Sequence, residues 1–197
     1  MLQVSQRKAL YALLAQLFAY PEASLTAALR QRETRHLLGL LGCEAPPADY
    51  PRQELETAYT ALFINRLGGA PALPYGSIYL EPEERLLGIT TQQVAGWYAR
   101  AGLHLEAAGE PPDHLPTELE FCYFLVGQEE EALKRGDETG VHAAAAKQAA
   151  FAGALLFPWL PPFCAKIAEE PSAHPFYRWA GTVLTRYCQL EREVLEV

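Results

Sequence analysis

Between its prolines this chain repeats one spacing of apolar residues. Leu10, Leu13, Leu14, Leu17 and Phe18 fall at i, i+3, i+4, i+7 and i+8, and Leu55, Ala58, Tyr59, Leu62 and Phe63 repeat that rhythm. Side chains so spaced share one face of an α-helix. Runs of alternating Val, Ile and Thr, which a half-buried strand needs, are absent, and Ala, Leu, Glu, Gln and Arg fill most segments. The pattern predicts an all-α protein, a single-domain helical bundle over residues 1–197 with long functional loops.

Caps and stops set the expected boundaries. The first helix runs from Val4 to Ala19 and stops at Pro21. Ser24 caps a second, which reaches Leu41 and ends at Gly42. A third spans Arg52 to Asn65. Thr90 or Thr91 caps a fourth, which ends at Ala101 with Gly102 as its left-handed stop. Pro116 opens a fifth, whose Glu118 suits the positive end of the helix dipole and whose Lys134 and Arg135 suit the negative end before Gly136. Asp137 caps a sixth that stops at Pro158. A short helix around Ala165 to Glu169 and a last one from Pro175 to Leu195 complete the chain.

With 50% hydrophobic and 20% charged residues the chain is globular in composition, and 197 residues suffice for one self-sufficient core. A formal charge of -8 argues against nucleic acid as partner, since that affinity comes from Lys and Arg on phosphates. The N-terminal apolar run has helical spacing, includes Gln16 and is followed by no small-residue cleavage site, so it reads as a first helix. Ala149 to Ala165 is the longest uncharged run. It is too short for a membrane span and is cut by Pro158, Pro161 and Pro162, so no stable membrane insertion is expected. Cys43, Cys122, Cys164 and Cys188 stand far apart with no Cys-x-x-Cys, and read as free thiols in a reducing compartment. Trp97, Trp159 and Trp179 read as packing aromatics, and Glu129 to Glu131 as a solvated face paired with Lys134 and Arg135.

Two stretches depart from plain helix. "RLGGAPALPYGSIYLEPEE" is too irregular for a helix and too apolar for a solvated linker, and "EPPDHLPTELEFCYFL" crowds Asp113, His114, Glu118 and Glu120 against aromatics. No helix carries the Glu-x-x-His of a dinuclear site, so no metal is expected. Acid-base chemistry by Asp113, His114 and Glu118 lacks a nucleophile, and neither a phosphate loop nor a dinucleotide fingerprint is present. The plain alternative is a helix entrance in which Asp113 caps, His114 bonds locally, and Leu119, Cys122, Tyr123 and Val126 face the core.

These two stretches carry a resemblance. "YTALFINRLGGAPALPYGSIYLE", from Tyr59 to Glu81, resembles the aromatic-x-x-Leu-Phe and Pro-aromatic-x-Ser-hydrophobic-Tyr pattern of the TorD/DmsD family of cytoplasmic redox-enzyme maturation chaperones. "EPPDHLPTELEFCYFL" resembles that family's Glu-Pro-x-Asp-His loop and the Glu-bearing helix after it. Pro74, Tyr75, Ser77 and Tyr79 fall on the first motif, and Asp113, His114 and Glu118 on the second. The family often has Trp where Tyr75 stands, and "HLP" is also similar to the related nitrate reductase assembly chaperones.

The resemblance implies a cytoplasmic, non-enzymatic protein without catalytic residues or cofactor. Its implied partners are a twin-arginine signal peptide and the apo form of a molybdoenzyme, held back from export until the cofactor is loaded. Such a peptide presents guanidinium groups and then an apolar segment. Glu81, Glu83 and Glu84 beside the first loop, and Glu110, Asp113 and Glu118 around the second, would meet the former, and Leu, Tyr and Phe the latter. His114 either fixes the loop or changes charge with pH. The competing function is a non-catalytic helical adaptor for a folded partner. A monomer and a domain-swapped dimer are both compatible with the sequence.

Overall fold

A computed structural model describes residues 2–82, 86–105 and 109–196. Among these, ten helices form and no strand does: α1 (Val4–Phe18), α2 (Ala23–Arg30), α3 (Arg32–Leu40), α4 (Arg52–Tyr59), α5 (Gly76–Leu80), α6 (Ile89–Arg100), α7 (Leu115–Lys134), α8 (Glu138–Phe151), α9 (Leu160–Glu169) and α10 (Pro175–Leu195). The long helix α7 packs on α1 and on α8, and α10 closes the bundle against α1, α8 and α9. The apolar stripes read from the sequence point inward: Leu10, Leu14, Leu17, Leu55, Tyr59 and Phe63 are all buried.

Several boundaries differ from expectation for local reasons. The second predicted helix is two, because Gln31 takes an extended conformation between α2 and α3, and Ser24 lies inside α2 behind Glu22 at the cap. Gly88 rather than Thr90 or Thr91 precedes α6, and the Thr90 N–H in its first turn donates to the Glu81 carboxylate at 2.8 Å. Asp137 caps α8 as expected, accepting from the Gly140 N–H at 2.9 Å. The α4 and α8 helices each run on through one wider turn, Thr60–Ile64 and Ala152–Leu156, closed by i→i+5 bonds from Asn65 and Phe157. The last of these delivers Trp159 to the centre of the bundle, where it is fully buried.

One polar knot ties four helices together. The Arg7 guanidinium of α1 donates to both oxygens of Glu191 on α10, at 2.9 and 3.0 Å from Nε, and to Glu129 on α7 at 2.9 Å. Its Nη2 also bonds Gln148 of α8, whose amide donates to Glu129 at 2.8 Å. Glu129 is thus interior, not part of a solvated face. Glu130 pairs with Lys8, and Glu131 with Lys134. The two carboxylates outweigh desolvation and hold the Arg7 pKa above its ordinary value. Tyr123, expected in the core, is 40% exposed beneath the Lys8 ammonium.

All four cysteines are free. Burial raises every one of their pKa values, that of Cys164 to about 11, so they stand as thiols rather than reactive thiolates at neutral pH. Among the described residues no single helix is long and apolar enough to cross a membrane.

Candidate functional site

The two irregular stretches meet. Pro74 and Tyr75 of the first run antiparallel to Asp113 and His114 of the second, with the Leu115 N–H donating to the Pro74 carbonyl and the Gly76 N–H to the Asp113 carbonyl, each at 2.9 Å. Asp113 does not cap its own helix; His114 occupies that position. Its carboxylate instead accepts from the Ser77 N–H at 2.8 Å, and so caps α5 across the joint. Proline on one strand and a tight N-terminal turn on the other leave these few backbone groups unpaired within their own segments, and each loop satisfies the other's.

Beneath the joint lies Trp159. Its indole N–H donates to Glu118 Oε2 at 3.1 Å, and its ring stacks on Tyr79 at 5.5 Å and 17°. A Cβ on Gly76 would stand 3.1 Å from Trp159 Nε1, so the glycine lets α5 lie directly on the indole. Lys166 of α9 sits over the outer side of Tyr79, 5.0 Å from the ring centre. Above the joint, the Tyr75 ring lies 5.2 Å from the His114 ring, and its hydroxyl donates to the exposed Glu110 at 2.8 Å. The Tyr98 hydroxyl holds the Pro112 carbonyl at 2.8 Å from the other side.

The acids divide by depth. Asp113 and Glu118 are fully buried, and Ser77 is buried beside them. Burial, and then the nearby Asp113 charge, push the Glu118 pKa well above the carboxylate range, against the smaller pull of the Trp159 N–H. Glu118 is therefore held toward its protonated form inside the protein and is not a surface contact. Burial likewise lowers the His114 pKa despite the pull of Glu110 and Asp113, which favours a neutral ring that shapes the loop over one that charges near pH 6.5. Tyr75 and Tyr79 are partly buried, each keeping a minority of its surface exposed, and among the described residues Glu110 is the carboxylate that reaches the surface at the joint. Glu81 is engaged with Thr90. Glu83 and Glu84 lie outside the described residues. No cluster of metal-ligating side chains occurs among the described residues.

All seven site residues read from the sequence come together, but Trp159 is a central member that periodicity treats as packing. It lies 41 positions from Glu118, with no local signal linking the two.

Comparison with known proteins decides the family. Residues 12–165 match the family described as nitrate reductase delta subunit. Chaperone protein TorD of Vibrio vulnificus (strain YJ016) is 31% identical over 143 residues, covering 72% of this chain and 64% of that protein. The chlorate reductase assembly chaperone protein of Ideonella dechloratans is 32% identical over 168 residues, 85% of this chain and 79% of the relative. The chain belongs to the TorD/DmsD family. A further TorD/DmsD relative, the Tat proofreading chaperone DmsD of Salmonella typhi, is 29% identical over 133 residues, 67% of this chain and 57% of the relative. The matched part of the chain thus spans less than two thirds of the length of the TorD and DmsD relatives. These relatives are named as chaperones or assembly proteins. In fold, the chain is similar to a putative redox enzyme maturation protein from Archaeoglobus fulgidus, with a TM-score of 0.59, 22% identity and coverage of 94% of this chain and 93% of that one.

Proposed function

We propose that this chain is a maturation chaperone for a molybdenum-containing oxidoreductase, binding its twin-arginine signal peptide and its apoprotein in the cytoplasm before cofactor loading and export. The observation that carries this reading is the joint itself. The two stretches on which the family resemblance rests are bonded to each other through Pro74, Tyr75, Asp113 and Leu115 and offer one face, not two separate loops.

Magnitudes assign the work within that face. A micromolar complex needs about 8 kcal/mol, whereas an exposed ion pair supplies about 0.2–1 kcal/mol. Each apolar side chain fully buried by a ligand supplies about 1.5–3 kcal/mol. The aromatic surface of Tyr75 and Tyr79 therefore provides most of the hold. Glu110 sets the register of the arginines and speeds capture. Asp113, Glu118 and Trp159 act from below by fixing where the tyrosines stand.

Titration with a synthetic twin-arginine leader peptide tests this. Tyr75→Ala should weaken binding at least about tenfold, roughly 1.4 kcal/mol. Glu110→Gln should cost less, and its effect should fade as salt shortens the reach of the charge. Equal affinity of wild type and Tyr75→Ala, with both proteins folded, would contradict the assignment.

A further inference from the structure

Each tyrosine of the joint has a charged companion from within the chain. The Tyr75 hydroxyl donates to Glu110, and the Lys166 ammonium of α9 stands 5.0 Å from the centre of the Tyr79 ring. The second contact follows from how α9 is built. Trp159 precedes its first turn, and Phe163 and Lys166 come four and seven residues later, on one face of the helix. Tyr79 lies against all three: stacked on Trp159 at 5.5 Å, edge-on to Phe163 at 6.1 Å, and under Lys166. Seven residues of helix rise about 10 Å, which is the span of a ring with the indole on one side and the ammonium on the other. Trp159 and Phe163 are fully buried, so the face of Tyr79 toward solvent is the one that Lys166 covers.

Lys166 is not needed to hold the ring in place. Trp159 and Phe163 fix Tyr79 from inside, and Gly76 lets α5 lie directly on the indole. In the last turn of α9 a cation suits the negative end of the helix dipole. That accounts for the charge at this position but not for its place over the ring. The negative face of an aromatic ring attracts any cation, and a guanidinium, planar and weakly hydrated, stacks there better than an ammonium. A basic ligand at the joint and the chain's own lysine therefore compete for one face.

We propose that Lys166 is an internal competitor: it covers the outer face of Tyr79 in the free protein, and one guanidinium of the leader peptide displaces it and stacks there while the other meets Glu110. The proposal rests on the maturation-chaperone function and adds to it a cation site that the chain itself occupies. Displacement costs every cationic ligand the same contact. It lowers affinity uniformly and keeps weakly held basic peptides off the face.

The test uses the full chain with isotope-labelled lysine and a synthetic twin-arginine leader peptide. In the free protein the ring current of Tyr79 should shift the Lys166 ε-methylene protons upfield, a signal assigned by its loss in Lys166→Met. Saturation with the peptide should return it to the ordinary lysine position. An unshifted signal in the free protein, or an upfield one that survives saturation, overturns the proposal. Titration of variants separates competition from plain charge repulsion. Lys166→Met removes the ammonium and should tighten the peptide about threefold or more. Lys166→Arg keeps the charge but competes better, and should weaken the peptide about threefold, where repulsion alone predicts no change. Both effects should vanish in a Tyr79→Leu background shown by its melting to be folded. Effects of the same size with and without the ring overturn the competition. If Lys166 stays in place while Tyr75→Ala still weakens binding, the chaperone reading stands without this site; if wild type does not bind the peptide at all, that reading fails too.

Discussion

At the scale of single residues, the site is built from buried polar groups whose partners come from elsewhere in the chain. Glu118 is the clearest case. Its pKa is raised in the fold, so the native state holds the proton while the unfolded chain releases it above the ordinary carboxylate pKa of about 4.5. The contribution of Glu118 to stability is therefore fullest below that value and is lost as pH rises toward its folded pKa. Glu118→Gln keeps an acceptor for the Trp159 N–H and removes the proton. Relative to wild type it should melt higher at pH 7.5 and lose that advantage at pH 5. Glu118→Ala orphans the indole N–H and leaves a cavity, and should cost about 2–3 kcal/mol at either pH. A wild type whose stability follows the Gln variant across this range would show Glu118 ionising as an exposed acid does. Asp113→Ala should cost about 1–3 kcal/mol in chemical denaturation by leaving the Ser77 N–H unpaired. Its effect on peptide binding is then one of shape, and added salt should not reduce it.

At the scale of elements, helices and their apolar faces were legible because the 3.6-residue period acts through local geometry. Leu10 to Phe18 and Leu55 to Phe63 needed only their own spacing. What the chain does across distance was not legible. Nothing beside Asp113 announces that it caps α5 and not α7, since the competing donor, the Ser77 N–H, lies 36 positions away. Trp159 reached the site for the same reason. Glu129 did leave a signal, since it falls in register with Leu125, Val126 and Ala132 on the buried face of α7. Arg7 before Leu10 and Tyr11, and Glu191 after Tyr187, leave matching signals on α1 and α10. Charges in register with three apolar faces imply one buried knot. Removing only the cation should be severe: Arg7→Met leaves Glu129 and Glu191 buried without a counter-charge, at a cost of about 3–5 kcal/mol in urea unfolding. Adding Glu129→Gln and Glu191→Leu should recover much of that loss, because the desolvation of the acids disappears with them. A triple variant no more stable than Arg7→Met would show that the knot contributes more than charge balance.

At the scale of the whole molecule, the bundle is a frame that brings two loops from distant parts of the chain to one place and bonds to them from below. The joint spans α5, α7 and the turn into α9. A ligand that binds only this native arrangement should raise the melting temperature, increasingly so as its concentration rises above Kd. The leader peptide should do so for wild type and much less for Tyr75→Ala. The most direct test of the central claim is capture from the native host grown anaerobically, with tagged wild type and tagged Tyr75→Ala compared by mass spectrometry. The account predicts one molybdoenzyme precursor, still carrying its twin-arginine leader, enriched on wild type and lost from the variant. Enrichment of an unrelated folded protein, or no enrichment from cells shown to express the precursor, would contradict it and favour the helical adaptor.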